Sequence, residues 1–218
     1  MGEIGYQMKK LAVFVSGGGT NLQAIIDAVA AQTLTNVEIA AVFSSSRKAY
    51  ALERAAKARI PSFCYIPKEY ENNDLFTEAI LEKLKELNID LIALAGYMVV
   101  LSPKIVREFQ NRVINIHPSL IPAFCGKGNY GIHVHENALA RGVKLAGATT
   151  HLIDDGTDTG PIVMQKAIPV LDDDTPETLQ KRVMAECEHI ILPQTIQLMA
   201  DERLSVEGHR VRIIDNTR

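Results

Sequence analysis

The sequence contains no tryptophan, three cysteines, no block of like charge and no apolar run approaching bilayer length. Each absence excludes something. Cys64, Cys125 and Cys187 are odd in number and lack CxxC or CxxxC spacing, so neither a disulfide framework nor a cysteine zinc site is expected. Lys and Arg are scattered and the formal net charge is -3, which gives no general attraction to polyanions, so nucleic acid is not an expected partner. No membrane span is expected, and the start MGEIGYQMKK is not followed by a signal-type cleavage region, which predicts a cytoplasmic protein. Tyr6 stands where a myristoylation motif needs Ser or Thr, and residues 1–8 read as a leader.

What remains is the composition of an ordinary folded globule: 218 residues, 47% hydrophobic and 22% charged, enough for one large domain over residues 9–204 with a tail over 205–218. Short apolar runs alternate with segments of helical period, the pattern of βαβ units. The fold class predicted is α/β, Rossmann-like, a mostly parallel sheet with helices on both faces. Strands are expected at Lys10–Ser16, Val37–Phe43, Ser62–Ile66, Asp90–Ala95, Val113–His117, Lys144–Ile153 and Pro161–Val170. Helices are expected at Asn21–Ala30, Ala49–Ala58, Asn73–Leu87 and His133–Gly142, then a long one at Thr175–Ala200 with Thr175 near its N-cap and Pro176 in its first turn. Asp90–Ala95 is nearly all apolar and should be central. Leu204–Ile213, with Glu207-Gly208 at its middle, reads as a short hairpin.

Three segments bear chemistry. Ser16-Gly17-Gly18-Gly19-Thr20-Asn21 joins a strand to a helix, which aims several N–H groups and a helix N-terminus at one point, a place suited to a phosphomonoester. It matches neither GxxxxGK[ST] nor GxGxxG, so an ATP or dinucleotide site is not expected. Asn115 and His117 lie two apart at the end of an apolar strand and therefore face one way, with Pro118 fixing the backbone beyond them. An amide there can donate to a carbonyl oxygen gaining charge, and an imidazole can move a proton near neutral pH. The acidic loop Asp154 to Asp158 offers a carboxylate to orient that imidazole and raise its pKa, and the spacing alone leaves Asp154, Asp155 and Asp158 all eligible. The loop lacks EF-hand spacing, and His133-Val134-His135 reads as a helix start rather than a metal pair, so no metal is expected.

SGGGTNLQAII (Ser16–Ile26), LAGYM (Leu94–Met98), NIHPSLIPAF (Asn115–Phe124) and HLIDDGTDTGP (His151–Pro161) follow one another in an order that resembles the glycinamide ribonucleotide formyltransferases. These are the folate-dependent transformylases of purine synthesis, and the resemblance runs from about Lys9 to about Leu204. It implies transfer of the formyl group of 10-formyltetrahydrofolate to the amine of glycinamide ribonucleotide. It makes Asn115, His117 and Asp158 the catalytic trio. It matches Gly18, Gly19, Thr20 and Asn21 to the phosphate loop, Glu188 to a carboxylate that holds the glycinamide part, and His133 to a substrate-side histidine. Met98, Val99, Val100 and Leu101, with Asp154, Asp155, Gly156, Thr157 and Asp158, match the walls of the pterin pocket. Val99 stands where many relatives carry Arg, and the loop Cys125–Ile132 is longer than the bacterial pattern. Lys68 and Lys127 are then the candidates for binding the folate tail.

Methionyl-tRNA formyltransferase and formyltetrahydrofolate deformylase share the Asn, His and Asp logic, but the first adds a C-terminal nucleic-acid-binding domain and the second an N-terminal regulatory domain. A chain of this length leaves room for neither. A non-catalytic folate- or nucleotide-binding module would keep the pockets without needing the trio. The expected partners are small-molecule substrates, with the chain acting as a monomer or homodimer.

Overall fold

The computed structural model describes residues 8–215, so the expected leader lies outside them apart from Met8. The chain begins β1 (Lys9–Val15), α1 (Thr20–Ala30), β2 (Val37–Ser44), α2 (Ala51–Lys57), β3 (Ser62–Cys64) and α3 (Asn73–Glu86). It continues β4 (Leu91–Leu94), α4 (Pro103–Glu108), β5 (Val113–His117), α5 (Ile132–Arg141), β6 (Leu145–Leu152) and β7 (Ile162–Pro169). It ends with α6 (Pro176–Val183), α7 (His189–Ala200), β8 (Leu204–Glu207) and β9 (Arg210–Ile213).

Period-two alternation in β1 builds the layers. Leu11, Val13 and Val15 join one core cluster, with Leu22 and Ile25 of α1 and Ile191, Leu192 and Ile196 of α7. Ala12 and Phe14 join the cluster on the other face, with Phe76, Ile80 and Leu84 of α3 and Ile105 of α4. These five β1 side chains, Leu11 to Val15, are fully buried, because a strand covered on both faces has no solvent side. Phe14 stacks on Phe43 of β2 at 4.8 Å between centroids, and burying one such ring contributes roughly 1.5–3 kcal/mol.

The strand order is β3-β2-β1-β4-β5-β6-β7-β9-β8. Strands β1 to β5 are mutually parallel. β6 runs antiparallel to β5 and to β7, while β9 pairs parallel with β7 and antiparallel with β8. The sheet is thus mostly parallel on one side and mixed on the other. β4 sits between β1 and β5 and is wholly buried, the central place its apolar sequence predicted. Because β2 and β4 flank β1, the chain reverses its winding direction there, and the loops beyond the ends of β1 and β4 open a crevice.

Two elements depart from the sequence expectation. α4 has six residues, too few for a periodic stripe to stand out. The long helix is divided by a π-helical turn, Met184–Glu188, in which the His189 N–H reaches back five residues to the Met184 carbonyl. Its ends behave as expected, with Thr175 and Thr178 forming a capping box around Pro176. The wide turn inserts a residue into the helical register and so resets which face Glu188 presents, a change that apolar periodicity does not encode.

Candidate active site

The loop after β1 is braced before any ligand arrives. Gly19 caps α1 in the left-handed region at φ 72°, and a Cβ on it would lie 2.6 Å from the Ala51 Cβ of α2. Glycine is required there by the packing of two helices. A Cβ on Gly17 or Gly18 would meet nothing within 4 Å, so these two are the residues whose bareness leaves room for a ligand. The Arg54 Nε–H donates to the Gly18 carbonyl at 2.8 Å, and the Ala51 N–H donates to the Gly17 carbonyl at 3.1 Å. Ser16 Oγ accepts from the Met98 N–H at 2.8 Å, which ties this loop to the one after β4.

At the end of β5, Asn115 lies opposite His151 of the antiparallel strand β6, and His117 lies opposite Thr149. The Asn115 amide nitrogen is 3.0 Å from His151 Nε2. His151 Nδ1 is 3.1 Å from the Leu152 carbonyl, which only accepts, so Nδ1 bears a proton, and Nε2 faces both the Asn115 amide and Asp158. His117 Nε2 donates to the Phe124 carbonyl at 3.0 Å by the same reasoning. Asp158 stands between the rings: its Oδ2 is 3.7 Å from His117 Nδ1, and its Oδ1 is 3.6 Å from His151 Nε2. Neither contact is a full hydrogen bond, whereas the Gly126 N–H donates to Asp158 Oδ2 at 2.8 Å. Asp158 and Phe124 both adopt left-handed backbone, φ 56° and 51°, a conformation uncommon outside glycine.

Electrostatics correct one expectation. Burial lowers the His117 pKa, and the Phe124 carbonyl and the Asp158 charge, which both raise it, do not restore the ordinary value. The carboxylate was expected to leave the imidazole with a raised pKa; instead it offsets part of a larger desolvation penalty. Burial pushes the Asp158 carboxyl up, yet His151, the Gly126 N–H and His117 together hold it below its usual range. Asp154 does different work, since its Oδ1 accepts from the Gly156 N–H at 3.0 Å and from Thr159 Oγ1 at 2.6 Å and so shapes the loop. Of the three eligible aspartates, Asp158 is the one that meets the histidines.

The cleft encloses about 660 Å³. It gathers Gly18 to Asn21, Met98 to Leu101, Asn115, His117, Asp154 to Asp158 and Glu188 along one wall or another. His133 is absent from its lining; the ring is half-exposed and bonds to Glu136 at 2.8 Å. Two residues on, His135 lines the cleft instead, almost fully buried, with its pKa lowered to about 4 by burial and by His117. Among the described residues its Nε2 has no partner. Helix α5 begins at Ile132 and turns His133 outward, so of the two histidines it is His135 that lines the cleft. Glu188 is buried and receives the Asn21 side-chain N–H at 2.7 Å, while Asn21 Oδ1 has no partner among the described residues. Burial raises the Glu188 pKa and the Asn21 bond pulls it back in part. His151 was visible in the last motif but unassigned; its cross-strand place opposite Asn115 is the signal for it, and that requires knowing that β6 runs antiparallel.

The sequence model of the formyl transferase family matches residues 9–196, nine-tenths of the described chain and all of the cleft. The chain belongs to the formyl transferase family. Among curated members of this family it is 42% identical over 190 residues to phosphoribosylglycinamide formyltransferase of Bacillus subtilis, covering 87% of this chain and 94% of that one. Among solved structures it is similar to glycinamide ribonucleotide transformylase 1 from Symbiobacterium toebii, at 43% identity and a TM-score of 0.90, covering 97% and 96% of the two chains. A formyltetrahydrofolate deformylase from Pseudomonas syringae is more distant, 26% identical with a TM-score of 0.85, and the match covers 67% of that chain. Among the described residues of this formyl transferase no helix is long and apolar enough to cross a membrane.

Proposed function

We propose that this formyl transferase moves the formyl group of 10-formyltetrahydrofolate to the amine of glycinamide ribonucleotide, giving formylglycinamide ribonucleotide and tetrahydrofolate in purine biosynthesis. The observation that carries the reading is the meeting of a Gly-rich helix start with Asn115, His117 and Asp158 in one cleft. Relatives named for this activity match nearly the whole chain. A cytoplasmic enzyme acting on small molecules, as a monomer or homodimer, belongs to the same reading.

In this account Gly18 to Asn21 take the phosphate, because the first N–H groups of α1 have no intrahelical partner and the helix dipole favours negative charge there. Asn21 Oδ1 and the Glu188 carboxylate offer acceptors to the glycinamide part. The pterin lies along Met98 to Leu101 and Asp154 to Asp158. The amine attacks the formyl carbon, and the tetrahedral intermediate bears negative charge on oxygen and positive charge on nitrogen. Asn115 gives one amide N–H to His151 and has a second for that oxygen. Asp158, held ionised, faces His117 Nδ1, and together they take the amine proton, directly or through water, and return it to the folate nitrogen as its bond to carbon breaks.

Two other readings are weaker. With water as acceptor, the braced Gly-rich loop would have no phosphate to hold, and a non-catalytic module would have no use for the Asn115, His151, Asp158 and His117 group. Tetrahydrofolate release measured with and without the ribonucleotide tests the choice. The reading expects release only when the ribonucleotide is present, and equal release in its absence would overturn it.

A further inference from the structure

Under the proposed function the cleft must admit two anionic substrates, yet Asp154, Asp155, Asp158 and Glu188 all line it. Among the described residues it is lined by one lysine, Lys127, and no arginine. Val99 offers no charge, and Lys68 lies in a short turn away from the cleft. Lys127 is exposed and belongs to no ion pair among the described residues.

The loop that bears it is built to present it. Gly126 and Gly128 flank Lys127 at φ 79° and 87°, where a side chain would be strained. The Asn129 side chain donates to the Cys125 carbonyl at 3.0 Å, its backbone N–H to the Gly126 carbonyl at 3.1 Å, and it accepts from Asn137 of α5 at 2.9 Å. The turn is thereby closed on itself and fastened to a helix. Its Gly126 N–H also anchors Asp158, so the Lys127 charge stands on the same loop that positions the reactive carboxylate.

We propose that Lys127 supplies the positive charge that binds an oxyanion of a bound substrate at this cleft. Two groups have that chemistry, the phosphate of the ribonucleotide and the glutamyl carboxylates of the folate, and the inference rests on the formyl-transfer reading for both. A long ammonium side chain suits either, since it reaches as a point charge and needs no fixed fork geometry.

Calorimetric Kd values for each substrate on wild type, Lys127→Gln and Lys127→Arg test this independently of turnover. Lys127→Gln should weaken one substrate about tenfold, the scale of a lost charge-assisted contact, and Lys127→Arg should restore most of it. The glycinamide riboside, lacking phosphate, and 10-formyltetrahydropteroate, lacking the glutamyl tail, identify the source. Wild type and Lys127→Gln should bind alike whichever analogue lacks the anion that Lys127 holds. If both Kd values stay within twofold of wild type, the inference fails whatever the assay of formyl transfer gives. If the Lys127 effect is present but no formyl transfer occurs, the functional reading fails instead.

Discussion

His117 Nδ1 lies 3.7 Å from Asp158 Oδ2, with the opposite side of the ring fixed by the Phe124 carbonyl. Burial keeps the imidazole below its ordinary pKa although the Asp158 charge raises it, and the Asp158 carboxyl, which burial pushes up, is held below its usual range by His151, the Gly126 N–H and His117. Asp158→Asn keeps the shape and removes a charge that raises the His117 pKa. His117 should then titrate lower still by NMR, and kcat should fall on the order of a hundredfold to ten-thousandfold. A His117 titration that moves up would break the electrostatic account. The double variant with His117→Ala should lose much less than the product of the single losses, because the two act as a unit.

Under the proposed mechanism Asn115→Ala removes an oxyanion donor and leaves the strand pairing to backbone atoms. A loss on the order of a hundredfold to a thousandfold in kcat with little change in either KM is expected. If the loss lies mainly in KM, Asn115 binds the ground state and the donor role is misassigned.

Gly18→Val and Gly19→Val should separate by phenotype. Gly18 opens on the cleft, so its variant should raise the ribonucleotide KM more than the folate KM with Tm nearly unchanged. Gly19 abuts Ala51 at a left-handed φ, so its variant should lower Tm and act on both substrates through the fold. Identical phenotypes would mean that the loop moves as one piece and that the distinction drawn from Cβ space does not hold.

The architecture was legible because its signals are local and repeated. The apolar run Leu11–Val15, the capped start at Thr175 and the turn at Gly208 each follow from residues close together in sequence. Asn115 and His117 were legible for the same reason, being two apart on one strand. His151 and His135 were not, since the first depends on an antiparallel pairing and the second on where α5 starts. The π turn at Met184–Glu188 leaves no periodic trace at all.

His135 makes stability depend on acid. Its folded pKa of about 4 lies below the ordinary 6.5, so the unfolded chain binds a proton that the fold refuses. Its contribution is present above pH 6.5 and is lost as pH falls toward 4, by about 3 kcal/mol over that window. Replacing His135 with Gln should flatten this part of the pH dependence of unfolding by urea. An unchanged slope would show that the ring titrates normally.

Glu188 works in the opposite direction. Burial raises its pKa, so the fold pays for ionisation as pH rises above the ordinary 4.5. Glu188→Gln should raise Tm at neutral pH more than at pH 4.5 while weakening the ribonucleotide roughly tenfold. Loss of Tm at neutral pH would show instead that the charged carboxylate stabilises the fold.

The central claim is that the formyl carbon passes to the ribonucleotide amine. Formyl-labelled 10-formyltetrahydrofolate, followed by carbon-13 NMR with the enzyme and glycinamide ribonucleotide, reads that fate directly. The account predicts that the label appears in formylglycinamide ribonucleotide in step with tetrahydrofolate release. Label recovered as free formate, at the same rate with or without the ribonucleotide, would contradict it.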